Sequence, residues 1–126
     1  MTAFARVHRV VPLLAGLMGA AGVGLAAAAT HTGGQSFLGP ASAMCLAHAP
    51  AMLALYAGQR YLKTATLAAL VLALGTIVFA GDLSLRQFYG HGLFAMAAPS
   101  GGMIMIAGWL LTAAGVLFKM PPADRI

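Results

Sequence analysis

Four apolar stretches set the terms for this chain. They run from about residue 10 to 29, 41 to 58, 64 to 83 and 98 to 118. A helix needs about 20 mostly apolar residues to cross the hydrocarbon core of a bilayer, so three qualify by length and the second is slightly short. Only 7% of the 126 residues are charged and 61% are hydrophobic. Soluble domains carry roughly 25% charged residues, and a chain this poor in charge cannot cover a water-facing surface. No stretch sustains the alternation of a membrane-spanning strand. The expected fold is therefore all-α: an integral membrane bundle of four transmembrane helices, forming one domain over residues 1–126.

The net charge of +5 does not point to nucleic acid, because the basic residues form no stripe and sit at the ends of apolar runs. Arg6 and Arg9 precede the first span, Arg60 and Lys63 separate the second and third, and Lys119 and Arg125 follow the fourth. Of the lysines and arginines, only Arg86 falls in the other two connections. That asymmetry predicts cytoplasmic termini, with 30–40 and 82–97 on the outer side. The basic start and the "AAAAT" run, residues 26–30, also resemble a signal peptide. The first apolar stretch is longer than the usual hydrophobic region of such a signal, so the span is expected to be retained. The single cysteine, Cys45, cannot form an intrachain disulfide.

Lipid supplies no hydrophobic drive for helix association, so close approach through small residues must supply packing. Gly16, Ala20 and Gly24 fall four apart in the first span, and Gly101, Gly108 and Gly115 fall seven apart in the fourth. Both sets are expected at helix contacts, within the bundle or against another protein. Pro99 is expected at the first helical position of the fourth span, where no backbone donor is needed. Phe88, Tyr89 and Phe94 should lie at outer headgroup depth, with Tyr56 and Tyr61 at the inner face. Trp109 lies mid-span, so its indole N–H should seek an internal partner.

His48 sits about 10 Å below the outer end of the second span, taking 1.5 Å per residue. A polar side chain at that depth should face the bundle. Pro50 frees the carbonyl of Leu46, and the pair is expected to act together, a bend in the helix and a polar group to satisfy what it exposes. His31 and Asp82 also belong to the outer half, and Asp82 has Arg86 four residues on. Their simplest pairing is a local ion pair worth roughly a few tenths of a kcal/mol. His48, His31 and Asp82 are the candidate functional polar residues. No ligand spacing supports a metal among them. The sequence has no glutamate, no phosphate-binding loop, no G-x-S-x-G and no C-x-x-C, so no catalytic residue and no cofactor is assigned.

Several segments resemble a known family. "LALGTIVFAGDLSL" (72–85), "APSGGMIMIAGWLLTAAGVL" (98–117) and "LAHAPAMLAL" (46–55) are similar to the YgdD-like family of small four-span membrane proteins. This is the domain of unknown function 423, which also includes the eukaryotic transmembrane protein 256. His48 and His31 fall on histidines of that pattern, and Pro99, Gly101, Gly102, Gly108 and Trp109 match its fourth span. The chain departs from it at Asp82, where serine is usual, at Ala98, where threonine is common, and at Pro50. The resemblance implies the four-span topology and no biochemical activity.

Together these readings predict a small multi-pass protein of the bacterial inner (cytoplasmic) membrane that is not an enzyme. The leading expectation is an accessory or scaffold subunit of a larger membrane complex, with other membrane subunits or further copies of itself as partners. A small transporter or ion- or proton-binding protein using His48, His31 and Asp82 is the alternative. A quinone- or haem-associated redox subunit is the third. The polar residues available to line a wet path, Thr64, Thr66, Thr76, Ser84, Ser100 and Thr112, are few.

Overall fold

The computed structural model describes residues 2–118, with the backbone alone for Phe4. Four helices follow in order: α1 (Ala3–Thr32), α2 (Gln35–Ala57), α3 (Ala65–Tyr89) and α4 (Ala97–Ala114), which closes in a 3₁₀ turn, Gly115–Leu117. All four are long and apolar enough to cross a membrane. The chain is a four-helix, multi-pass membrane protein.

α1, α2 and α3 extend past the apolar stretches at one or both ends, because a helix continues as long as its backbone is satisfied, whatever its side chains prefer. α1 starts at Ala3, where the Thr2 hydroxyl accepts the Ala5 amide at 3.2 Å and so caps one of the unpaired first-turn donors. The connection expected at 30–40 shrinks to Gly33 and Gly34. Gly33 takes the left-handed conformation (φ 70°) that ends a helix most cheaply when no Cβ is present. α2 then begins ahead of Pro40, which stands in its second turn. At the α3–α4 connection, expected at 82–97, α3 runs on to Tyr89 and only 90–96 is irregular. α4 starts at Ala97, so Pro99 is its third residue and not its first. The position still lies among the first-turn residues whose amides have no intrahelical acceptor.

α1 packs on α2, α2 on α3 and α3 on α4, while α1 touches α3 only lightly. The two middle helices are thus the more buried and the outer two face lipid along most of their length. The core is built of small residues, among them Ala15, Ala41, Ala49, Ala68, Ala69 and Ala73, with Val11, Leu38, Met52 and Leu72 filling the space between. Backbones approach closely as a result. A Cβ at Gly101 would sit 2.6 Å from the Phe79 amide nitrogen and 2.8 Å from the Gly75 carbonyl oxygen. One at Gly108 would meet Leu72, and one at Gly115 would meet Thr64, so the α4 stripe of Gly101, Gly108 and Gly115 faces α3.

The α1 stripe does not pack inside the bundle. A Cβ at Gly16 or Gly24 would meet nothing within 4 Å, and Ala20 is exposed. The buried face of α1 is Val11, Ala15, Met18 and Gly22, displaced around the helix from the stripe. Residues four apart must share a face, but spacing alone does not say which face a helix that is small on several sides will bury. Gly22 is the true crossing point: the Ser42 hydroxyl donates to its carbonyl oxygen at 2.7 Å, and a Cβ there would collide with Leu46.

Candidate functional site

α2 brings His48 to a nearly buried position (5% exposed) opposite α4. The indole Nε1–H of Trp109 donates to His48 Nε2 at 3.1 Å, and His48 Nδ1 lies 2.8 Å from the carbonyl oxygen of Met44. An indole N–H can only donate, and a carbonyl can only accept. The ring therefore carries its proton on Nδ1 and presents a bare Nε2 to the tryptophan. The two rings lie 5.9 Å apart, tilted at 55°. Both ring nitrogens are used in the neutral form, and the bond spans two helices not otherwise closely packed. Trp109 thus has the internal partner its mid-span position called for. His48 does not turn to the Leu46 carbonyl that Pro50 frees. Pro50 is exposed, and the two residues do not work as one device.

Asp82 is fully buried in the C-terminal part of α3. Its Oδ2 accepts from Arg86 Nε at 2.9 Å, the local i,i+4 pair, and its Oδ1 accepts the backbone amide of Leu93 at 2.8 Å. The second bond was not visible in the sequence. It ties the 90–96 connection down onto α3, so Asp82 holds a loop as well as a partner charge. Gly92 lies against the carboxylate so closely that a Cβ there would overlap Asp82 Oδ1. The glycine in "YGHGL" makes room for the acid.

His31 stands in the last turn of α1 and is exposed. The structure does not bring His31, His48 and Asp82 together: each has its own surroundings, on α1, between α2 and α4, and at the α3–α4 connection. Among the described residues no group of three or more His, Cys, Asp or Glu side chains gathers to hold a metal.

At the opposite end, a residue the sequence reading passed over is in contact. His8 stacks on Tyr56 (centroids 4.4 Å apart, 22° between planes), and its Nε2 lies 2.5 Å from Gln59 Nε2. Tyr56, expected at headgroup depth, is half-buried as the platform for this ring, whereas Tyr61, Phe88, Tyr89 and Phe94 are exposed. His8 stands three residues before Val11 and seven before Ala15; that phase with the buried face of α1 was the available signal.

An apolar concavity lies elsewhere in the bundle. A groove of about 640 Å³, open to one side, runs between α1 and α3. Leu17, Ala21 and Leu25 line it from α1, Ile77, Ala80 and Phe88 from α3, and Cys45 reaches it from α2. It exists because α1 leans on α2 and leaves α3 largely uncovered. Its few polar atoms are satisfied locally: the Thr76 and Ser84 hydroxyls donate to the Leu72 and Ala80 carbonyls, each at 2.7 Å.

No curated protein and no solved structure matches this chain. One family does, over residues 18–102, which takes in α2, α3, the second half of α1 and the start of α4. By that match the chain belongs to the family described as protein of unknown function (DUF423).

Proposed function

We propose that this membrane protein is a non-catalytic accessory or scaffold subunit of a larger complex in the bacterial inner membrane, with both termini cytoplasmic. The open apolar groove between α1 and α3 carries the reading. A four-helix chain that served only itself would gain by closing α1 onto α3. Here that space is left to a further transmembrane helix. The polar side chains inside the bundle support the same reading, since His48, Asp82, Ser42 and Thr76 are all bonded within the chain. Gly16, Ala20 and Gly24 extend the surface on which a helix can approach α1 closely.

The test is photo-crosslinking in living cells. A crosslinking residue is placed in the groove at Ala21 or Ile77, and for comparison at Leu110, which faces lipid on α4. The groove positions should capture one discrete membrane protein, or a second copy of this chain. The mass of the intact complex in mild detergent should contain the same component. Lipid adducts alone at the groove, or the same products from Leu110, would sink the proposal. The orientation has its own check: a reporter active only in the periplasm, fused to the C-terminus, should stay silent.

A further inference from the structure

Among the described residues, the end of the bundle formed by the start of α1 and the 58–64 connection holds four cations, Arg6, Arg9, Arg60 and Lys63, all exposed. Among the described residues none of the four has an ion-pair partner. The one carboxylate in that set, Asp82, lies about 26 Å along α3 from its first residue, at 1.5 Å per residue, and is engaged by Arg86. That separation is roughly three Debye lengths at physiological salt, so it neutralises nothing at this end.

The four cations are not scattered. The contact of His8 with Tyr56 and Gln59 clamps the first turns of α1 onto the end of α2. Arg9 directly follows His8 and Arg60 directly follows Gln59, so a Cα–Cα step of about 3.8 Å separates each arginine from the clamped pair. Arg6 and Lys63 flank the same contact. Tyr61, exposed within the connection, marks the depth as interfacial. The cluster therefore stands where lipid headgroups are, on side chains long enough to reach them.

The geometry points to a site for anionic phospholipid headgroups, phosphodiester lipids with net negative charge, bound by Arg6, Arg9, Arg60 and Lys63 around the His8 clamp. A bilayer supplies such groups at the right height without any further ordering of the protein. An acidic protein would have to reach the same interface and displace them. Arginine suits this role, because its planar fork takes two phosphate oxygens at once.

The experiment uses the full chain in nanodiscs of equimolar phosphatidylcholine and phosphatidylglycerol, released into mild detergent and read by native mass spectrometry for retained lipid. Phosphatidylglycerol adducts should exceed phosphatidylcholine adducts, and the excess should fall by about fivefold for each cation neutralised, following the near-surface worth of a basic residue beside an anionic bilayer. Arg9→Gln, Arg60→Gln and the double variant test this, with Trp109 emission as the check that the bundle is intact. Should the double variant fail to assemble, high salt on the unaltered protein replaces it and must abolish the preference. Two results would overturn the proposal. One is equal retention of the two lipids. The other is complete displacement of phosphatidylglycerol by millimolar inorganic phosphate, which would make the site one for a free anion.

Discussion

Breaking the Trp109–His48 bond should cost more from the histidine side than from the tryptophan side. Trp109→Phe removes the donor and leaves His48 Nε2, in a side chain only 5% exposed, without a partner. The lost ring packing is modest because Trp109 is 47% exposed, to lipid. The expected loss is about 0.6 to 1.7 kcal/mol, the range for hydrogen bonds between transmembrane helices. His48→Leu strands the indole N–H in a medium with no water to receive it, for about 1–3 kcal/mol. The Met44 carbonyl adds little to this, since as the i−4 acceptor it is already in the α2 ladder. The two replacement amides divide the ring's functions. Glutamine places an oxygen near the position of Nε2 and should keep the tryptophan bond. Asparagine is shorter, reaches only toward Met44, and should fall between glutamine and leucine. The assay is reversible unfolding in mixed micelles, run on the full double-mutant cycle. The double variant His48→Leu/Trp109→Phe should cost clearly less than the sum of the singles, because apolar groups then face each other. Additivity within about 0.3 kcal/mol would mean the two side chains do not interact, and the structural role assigned to His48 would fall.

Three further outcomes are expected. Gly101→Ala should destabilise by about 1–3 kcal/mol, because the new methyl would meet the α3 backbone, whereas Gly16→Ala, in open space, should stabilise the isolated protein by up to about 1 kcal/mol through helix propensity; unfolding in detergent compares them. Met96, exposed and left-handed at φ 65° just before α4, carries a strain of roughly 1–2 kcal/mol. Met96→Gly should relieve most of it in the same assay, while Met96→Ala should relieve none. Asp82→Asn keeps an acceptor for the Leu93 amide but loses the Arg86 charge pair, and Asp82→Leu loses both. Protease cleavage within 90–96 should therefore be faster in the leucine variant than in the asparagine variant.

The fold was legible because four apolar stretches of spanning length admit little else. Their ends were not, since charge and glycine marked where lipid stops and not where the helix does: α1 carries Arg6, His8 and Arg9 inside its first turns, and α2 contains "LGP" near its start. The unusual depth of His48 and Trp109 was visible in each span separately. Their pairing was not, because it depends on which helices become neighbours. Asp82 showed its i+4 partner, which is fixed by helix geometry, but not Leu93, which is fixed by the path of a loop. The direction of the α1 stripe was not legible, since small residues occupy several faces of that helix.

The Gly33–Gly34 connection has a kinetic consequence. A two-residue link leaves almost no chain entropy to lose on closure, so α1 and α2 meet as soon as both are in the bilayer. The α3–α4 pair, joined by the seven residues 90–96, forms nearly as locally. The slow step in assembly is then the meeting of two preformed hairpins along the α2–α3 seam. Contacts across that seam are completed only during or after that step, so substitutions there, such as at Leu72 or Met52, should act mainly on how long the finished bundle lasts. The Ser42–Gly22 bond lies inside the first hairpin and is made before that step, so breaking it should slow the rate at which the protein matures.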